Sequence, residues 1–470
     1  MKKLISILTA AVLILTMASC SAFKKKESKI ERNKNGDIII TVADYRDSGG
    51  SNLNNTYGMK IFEFNKADNG YEIVLKDYSG YNQQSGNGNY RNAVQQLEED
   101  CMNGEVDIVF ELFTEAAVND FNREKQMKMS SNVSFMDGFS SFANLAKKGS
   151  FADLYQYINT DNEVNTQTLD ERILKLSEID GKLPYICPIY SVNYAFGNTS
   201  VVGTKENWTF DDMRSAHEKS PNMSVLQYSD RRNLLAMILD GMKSSFIDYS
   251  SRTADFENPK FLDILKFCKD SPENTWVLEA EPLFYGRGMQ YFEGVGDSEY
   301  GFFDVDTAMD AQAQNEPFTL VGYPSEDGKG AYIDLLERMA ICANSPKEVQ
   351  EGAWQFLRTF FTSDPVTCYS GFPLNNEAFA RMEQQALCHS YTDPDTGETE
   401  YFPEQDVPQE TINRIKEYIS KIDRLETYED AEMYNIITDE ALKYFNGGQT
   451  AEQAAMMIQS RVSIWLSETS

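Results

Sequence analysis

Short apolar runs alternate with helical hydrophobic patterns from residue 38 onward. Residues 38–42 (IIITV) form a continuous apolar run that is typical of a buried strand. Tyr57, Ile61 and Phe64 recur at helical spacing, and residues 71–75 return to strand character. This order predicts a βαβ unit.

A second unit of the same kind follows. Gly104 suits the end of a helix, and residues 106–110 form another apolar strand. The helix between the two strands has one apolar face, which is formed by Ala93, Val94, Leu97 and Cys101. Strands that alternate with helices predict an α/β fold with a parallel sheet, in which ligands bind at the carboxyl ends of the strands.

Polar and aromatic side chains follow each of the three predicted strands. They lie at residues 45–47, 77–78 and 111–113, which a parallel sheet brings to one edge. Each segment can equally be an ordinary polar loop, so both interpretations remain open.

The second half of the chain carries clear signals for helix ends. Residues 345–348 (SPKE) read as a capping box with Pro at the first helical position, and an amphipathic helix follows them. Near the C-terminus, Gly447 suits the end of one helix and residues 450–453 (TAEQ) the start of another. The acidic segment around residues 393–397 (DPDTG) favours a hairpin turn over a Ca²⁺ loop, because the full ligand spacing is missing.

The first 36 residues predict export and attachment. Lys2 and Lys3 precede an apolar run of about 12 residues, which is too short to span a bilayer, so residues 1–19 are predicted to be a signal peptide. The end of this predicted signal peptide, residues 17–20 (MASC), resembles the lipobox of bacterial lipoproteins. The resemblance implies acylation of Cys20 and anchoring on the outer face of the cell membrane. Residues 20–36 hold six bases and two acids and are predicted to be a tether. An unmodified Cys20 in a secreted chain, with a plain solvated linker, is the alternative.

The amino-acid composition of the chain argues against several classes of function. The 470-residue chain has a net charge of −30, which opposes binding to nucleic acid, and two histidines, which leave little material for zinc sites or histidine-dependent hydrolysis. The seven cysteines contain no C-x-x-C pair, so no metal and no cofactor are predicted, while disulfides remain possible.

A series of short motifs then occurs in a recognisable order. It consists of residues 64–66 (FNK), 103–109 (NGEVDIV), 180–185 (DGKLPY), 188–190 (PIY), 207–210 (NWTF), 284–289 (FYGRGM), 322–324 (GYP), 340–342 (AIC), 353–357 (AWQFL) and 371–375 (GFPLN). The series resembles the extracellular solute-binding proteins of bacterial ABC importers, in the lipoprotein branch similar to maltose-binding protein.

The resemblance implies a two-lobed, type II periplasmic-binding-protein-like α/β fold. Each lobe is a sheet flanked by helices, and the solute lies in the cleft between them. Lobe 1 is predicted at residues 37–188 plus 325–372 and lobe 2 at residues 189–324 plus 373–470, with crossings near residues 188–191, 322–325 and 372. Such a protein acts as a monomer without catalytic residues, closes on its solute and delivers it to the permease subunits of an ABC transporter.

The resemblance also places ten residues at the cleft. They are Tyr45, Asp47, Glu111, Tyr190, Asn193, Tyr228, Asp230, Arg231, Arg287 and Phe372. Aromatic rings beside carboxylates and amides suit the apolar faces and hydroxyl rims of sugars, so an oligosaccharide is the favoured solute.

Two other functions remain open at this point. A carboxylate pair would suffice for a glycosidase or lyase that acts on surface polysaccharide. A sensor or adhesin with the same fold would bind a solute without importing it.

Overall fold

The computed structural model describes most of the chain beyond the N-terminal segment. The described residues are 30–47, 50–51, 56–84, 91–111, 140–226, 230–249, 251–271, 282–289, 318–365, 367, 371–388, 390–393, 396–403, 406–407, 409–425 and 431–468. Among the helices of these ranges, none combines the length and the apolar character needed to cross a membrane.

Most of the described strands are short, and β6 is the longest of them. The strands are β1 (Ile38–Asp44), β2 (Arg46–Asp47), β3 (Gly50–Ser51), β4 (Tyr71–Asp77), β5 (Ile108–Phe110), β6 (Ile189–Asn198), β7 (Ser224–Leu226), β8 (Ile247–Asp248), β9 (Thr253–Ala254), β10 (Pro282–Met289), β11 (Phe318–Leu320), β12 (Tyr332–Leu336), β13 (Met339–Ile341), β14 (Phe372–Pro373), β15 (Ser390–Thr392) and β16 (Thr399–Tyr401).

Helices occur along the whole of the described chain. They are α1 (Thr56–Lys66), α2 (Ser79–Gln84), α3 (Arg91–Asn103), α4 (Ser140–Lys147), α5 (Tyr155–Ile158), α6 (Glu171–Leu176), α7 (Thr199–Val202), α8 (Phe210–Lys219), α9 (Arg231–Met242), α10 (Pro259–Asp270), α11 (Lys347–Leu357), α12 (Asn376–Leu387), α13 (Gln409–Ser420), α14 (Ala431–Phe445) and α15 (Ala451–Glu468). Short 3₁₀ turns at Lys243–Ser245 and Arg358–Phe360 extend α9 and α11.

The first sheet joins strands from distant parts of the sequence, in the order β13–β5–β1–β4. β1 runs parallel to β4, with Ile38 opposite Tyr71, and parallel to β5. β13 closes the other edge in the antiparallel sense, with Met339 opposite Phe110. The predicted parallel strands are confirmed, and β13 is a partner that the sequence pattern did not reveal.

The predicted apolar helix faces cover this sheet. Tyr57, Ile61 and Phe64 of α1 are buried, as are Leu97 and Cys101 of α3. These residues recur at intervals of three, four or seven and therefore share one side of their helix. The βαβ reading of this region is confirmed.

The second sheet is built around β6. β10, β11, β12 and β14 all pair with this strand in the antiparallel sense, and β7 lies parallel to β10. The segments predicted as crossings meet here. Residues 188–191 lead into β6, the Gly322 N–H donates to the Ala195 carbonyl at 2.9 Å, and Phe372 pairs with Tyr190.

Buried apolar residues form two separate cores. The first core collects β1, β4, β5, β13, α1, α3 and α11, and the second collects α8, α9, α10, α14 and α15. β6 contributes to both, because Tyr190 and Val192 belong to the first core and Ala195 belongs to the second. One strand therefore connects the two packing units.

The cores divide the C-terminal segment that the sequence assigned to a single lobe. Buried residues between Val407 and Ile422 join the first core, whereas those between Met433 and Leu466 join the second. A boundary between residues 422 and 433 thus describes the packing of this segment better than one at residue 373. The lobe boundaries themselves stay a prediction.

The N-terminal end of the folded body begins before residue 37. The Glu31 carbonyl accepts the Ile39 N–H at 2.9 Å, and the Asn33 side chain donates to the Glu72 carboxylate at 2.8 Å. The last residues of the predicted tether are therefore hydrogen-bonded to the first sheet.

One of the two predicted helix caps is wrong. α11 has Pro346 as its N-cap without a side-chain cap, because the Ser345 hydroxyl donates to Asp107 at 2.6 Å instead. The other cap is confirmed at α15. The Gln453 N–H donates to the Thr450 hydroxyl at 3.2 Å, and the Gln453 side chain accepts the Thr450 N–H at 2.9 Å.

β15 and β16, which flank the acidic segment, pair as the two arms of a hairpin, in agreement with the predicted turn. Gly397 has φ +73° and donates its N–H to the Asp393 carbonyl at 2.8 Å. Left-handed φ suits glycine because it lacks a Cβ atom.

Candidate functional site

The carboxyl ends of β1, β4 and β5 lie at one edge of the first sheet, because these strands are parallel. Tyr45, Tyr78 and Glu111 are the residues that follow these ends. The topology therefore brings the first predicted group of site residues to a common edge, as expected for a ligand site of an open α/β sheet.

The two tyrosines at this edge are packed inside the protein. Tyr45 and Tyr78 are buried, and the Tyr78 hydroxyl donates to Asp100 at 2.6 Å. Burial and the Asp100 carboxylate raise the pKa of Tyr78, so its hydroxyl stays protonated. In this conformation neither ring offers an open face for stacking.

Glu111 is buried and is bound to a cation. The Arg338 guanidinium donates to one Glu111 oxygen through Nε at 2.9 Å and through Nη2 at 2.5 Å, and the Arg338 backbone N–H donates to the other oxygen at 3.1 Å. The guanidinium also lies over the rings of Phe142 and Tyr185, at 5.4 Å and 5.2 Å from their centroids. Glu111 is thus held by charge-assisted hydrogen bonds from Arg338, and the guanidinium itself packs on the rings of Phe142 and Tyr185.

A second carboxylate shares this guanidinium environment. Burial and the neighbouring Glu111 raise the pKa of Asp334 to about 7, against the opposing effect of Arg338. Glu337 adds a third acid, which is buried and accepts a hydrogen bond from the Tyr57 hydroxyl. Acids therefore outnumber the single guanidinium, and Asp334 holds a proton near neutral pH.

Sequence reasoning missed this cluster apart from Glu111. The available signal was the occurrence of Asp334, Glu337 and Arg338 inside an otherwise apolar stretch from residue 331 to 343. Charged residues are rarely buried unless they are paired, so such an interruption marks a buried ion pair. The partner, however, lies 227 residues away along the chain.

The second predicted group gathers along β6. Tyr190 and Phe372 are both buried, with ring centroids 5.8 Å apart. Burial raises the pKa of Tyr190. These rings pack two crossing segments together, so a contact with solute would require this packing to change.

Asn193 and Arg287 lie on neighbouring strands of the second sheet. Asn193 is opposite Gly288, and Arg287 is opposite Tyr194, so the two positions are one residue apart in register. The register therefore places the two positions close along the backbone, but successive pairs of a strand ladder lie on opposite faces of the sheet.

The remaining predicted residues are spread over other elements. Asp230 is exposed and caps α9 by accepting the Asn233 N–H at 2.8 Å, and the half-buried Arg231 begins that helix. Asp47 lies in β2, where it pairs with Gly50 of β3. Tyr228 and Cys20 lie outside the described residues.

The described part of the chain holds no group of three or more His, Cys, Asp or Glu side chains arranged to bind a metal ion. At the described edge the tyrosine rings are buried and the Glu111 carboxylate is bound to Arg338, so these groups reach a solute only if their packing changes.

Removal of the buried cation should destabilise the first core. Arg338→Met leaves Glu111 without its counter-ion, so we expect the free energy of unfolding to fall by about 3 to 5 kcal/mol. Urea denaturation monitored by tryptophan fluorescence measures this. The control is Lys421→Met, which breaks the exposed pair with Glu417 and should change stability little. Equal effects of the two substitutions would contradict a structural role for the buried pair.

The raised pKa of Asp334 predicts a pH dependence of stability. The unfolded chain loses this proton near the ordinary value of 3.8, while the folded chain keeps it up to about 7. Stability should therefore fall as pH rises between these values, by about 1 to 3 kcal/mol. Thermal unfolding at about pH 5 and about pH 8 tests this, with Asp334→Asn expected to flatten the difference. Asp423→Asn, at an exposed ion pair, should retain the wild-type pH dependence.

Comparison with known proteins confirms the resemblance. Residues 92–369, more than half of the chain, match the bacterial extracellular solute-binding protein family. Curated protein sequences give no match.

Solved structures share the fold at low sequence identity. An extracellular solute-binding protein family 1 member from Alicyclobacillus acidocaldarius is 11% identical with a TM-score of 0.52, covering 92% of this chain and 100% of that one. A proposed oligosaccharide periplasmic-binding protein from Synechococcus sp. MITs9220 is 13% identical with a TM-score of 0.53, covering 91% and 99%. A de novo designed cysteine esterase is 12% identical with a TM-score of 0.55, covering 94% and 99%.

These neighbours support the fold, which is the two-lobed α/β type II periplasmic solute-binding fold. Because a designed esterase also matches, the fold alone does not decide between binding and catalysis. Together with the family match over residues 92–369, the two cores and their shared strand assign the protein: this chain belongs to the family of bacterial extracellular solute-binding proteins.

Proposed function

We propose that this protein captures an oligosaccharide between its two lobes, without chemical turnover, and delivers it to the permease of an ABC importer. It acts as a monomer and is held at the outer face of the cell membrane by acylated Cys20. The observation that carries the proposal is the family match over residues 92–369, combined with one strand shared by two cores.

The shared strand suits capture by closure. Within β6, Tyr190 and Val192 pack in the first core and Ala195 packs in the second. A solute favours the closed state only if it contacts both lobes, because a shift in population requires a difference in affinity between the two states. The proposed contacts from the two lobes come from residues at both ends of β6.

The proposed contacts fall into two classes. Asp47, Asn193, Asp230, Arg231 and Arg287 supply polar groups, as Tyr228 does with its hydroxyl. The buried set reaches solute only if lobe opening exposes it, and it consists of Tyr45, Glu111, Tyr190 and Phe372. An oligosaccharide is supported by these aromatic and polar groups and by the description of the Synechococcus neighbour.

A thermal-shift screen of di- to heptasaccharides, with peptides as controls, should identify the solute class. At about 100 times Kd, the ligand should stabilise the fold by about 2.7 kcal/mol. Small-angle scattering should show a smaller radius of gyration with the same ligand, because the lobes close. Tight binding at an unchanged radius would argue against closure.

A matched pair of arginine substitutions tests the cleft assignment. Arg287→Ala should weaken binding at least about tenfold, by loss of a charge-assisted hydrogen bond. Arg381→Ala, on the exposed face of α12, should bind as wild type does. Product analysis after prolonged incubation tests for catalysis, and more than one product molecule per protein would identify an enzyme. Loss of uptake of the same sugar in cells without this protein would distinguish import from sensing or adhesion.

Anchoring should depend on the predicted acylation site. Cys20→Ala should move the protein from the membrane fraction to the soluble fraction, since two acyl chains give stable attachment. The control is Cys388→Ala, because Cys388 is an exposed free cysteine of the folded body. If the Cys20 variant stays with the membrane after a high-salt wash, the lipoprotein assignment is wrong.

A further inference from the structure

Two cysteines from opposite halves of the chain meet inside the first core. Cys101 lies on the buried face of α3, and Cys342 immediately follows β13. Their Sγ atoms are 3.1 Å apart, and both residues are fully buried. This pair has no part in the proposed binding site.

The contact is unusually close for two atoms that are not bonded. Packed carbon atoms lie about 3.5 to 4.0 Å apart, and sulfur is larger than carbon. A disulfide bond requires an Sγ–Sγ distance of about 2.05 Å, so closure needs a movement of about 1 Å. The backbone of Cys342 is fixed, because its N–H donates to the Asp107 carbonyl at 2.8 Å.

Two other cysteines provide an internal comparison. Cys187 and Cys268 are buried as well, yet among the described residues neither forms a hydrogen bond to another cysteine. Burial alone therefore does not account for the pairing of Cys101 with Cys342. The isolated cysteines serve as matched controls.

We propose that Cys101 and Cys342 form a disulfide bond in the exported protein. The oxidant is an organic disulfide, of the kind presented by thiol-disulfide oxidoreductases or by oxidised glutathione. One thiolate attacks the organic disulfide and releases one thiol, and the second cysteine then displaces the other thiol. Two electrons pass from the two cysteines to the oxidant, and the two protons end on the released thiols.

The bond forms while the chain is folding. In the folded protein both sulfurs are out of contact with solvent, and burial raises the pKa of Cys342, so little thiolate is available there. The oxidising environment outside the cytoplasm permits such a bond to persist.

The bond would fasten the antiparallel edge strand of the first sheet to the helix that precedes β5. It closes a loop between residues 241 positions apart. Both cysteines belong to the first core, so the bond spans no junction between the cores and leaves closure on a solute unrestricted.

Peptide mapping of the full chain tests the proposal. The protein is exported by a bacterial host, purified without reductant, denatured in N-ethylmaleimide and digested. We expect peptides containing Cys101 and Cys342 to run as one linked species, about 2 Da lighter than the sum of the two free peptides. Cys187 and Cys268 should carry the label before any reduction. Stoichiometric labelling of Cys101 and Cys342 without reduction would overturn the proposal, as would linkage of either one to a different cysteine.

A refolding experiment on the wild-type chain tests formation of the disulfide without any substitution that could itself impair folding. The reduced wild-type chain is refolded with a mixture of reduced and oxidised glutathione, so the sequence is unchanged. We expect the linked peptide to appear and Tm to be higher than for the chain refolded in reductant. In Cys101→Ser, Cys342 should become labelled without reduction, whereas Cys187→Ser should keep the linked peptide. Refolding to the native form in oxidised glutathione without the linked peptide would also overturn the proposal.

Discussion

The pairing of β6 with strands from several parts of the chain is the constraint on which the arrangement of the two cores depends. Its residues Ile189–Asn198 hydrogen-bond to β10, β11, β12 and β14. Tyr190 and Val192 are fixed in the first core, and Ala195 is fixed in the second. A rotation of one core against the other would change backbone angles where the chain passes between them, which includes the peptide units between Val192 and Ala195, the neighbouring chain at Gly322 and the segment between residues 422 and 433. Hinges of this kind change a small number of backbone angles while the packed units move as rigid bodies.

The charged cluster around Arg338 lies next to the N-terminal end of β6, because Asp334 of β12 pairs with Ser191. Glu111 immediately follows β5, and Arg338 lies in the turn between β12 and β13. Because β12 pairs with β6 and β13 pairs with β5, this turn passes directly between the two sheets. Desolvated charges tolerate little displacement, so the ion pair fixes where the two sheets approach each other.

The predictable features of this fold are those with a local cause. The buried faces of α1 and α3 followed from residue spacing, and the cap at Thr450 followed from a four-residue signature. Ser345 has the same type of signature, yet Asp107, 238 residues away, binds its hydroxyl. The pairing of Glu111 with Arg338 and the burial of Tyr190 against Phe372 also arise from distant contacts. Periodicity and capping patterns contain no information on such contacts, so the sequence could identify candidate site residues without showing which of them the fold would bury.

The antiparallel edge of the first sheet also has a consequence for biogenesis. β1 is synthesised early, but β13 (Met339–Ile341), which completes the same sheet, is synthesised only in the last third of translation. A nascent chain of this protein lacks a complete N-terminal core for most of its synthesis, so stable folding of that core is delayed into the last third of translation. A chain whose first core stays incomplete for so long suits export in the unfolded state.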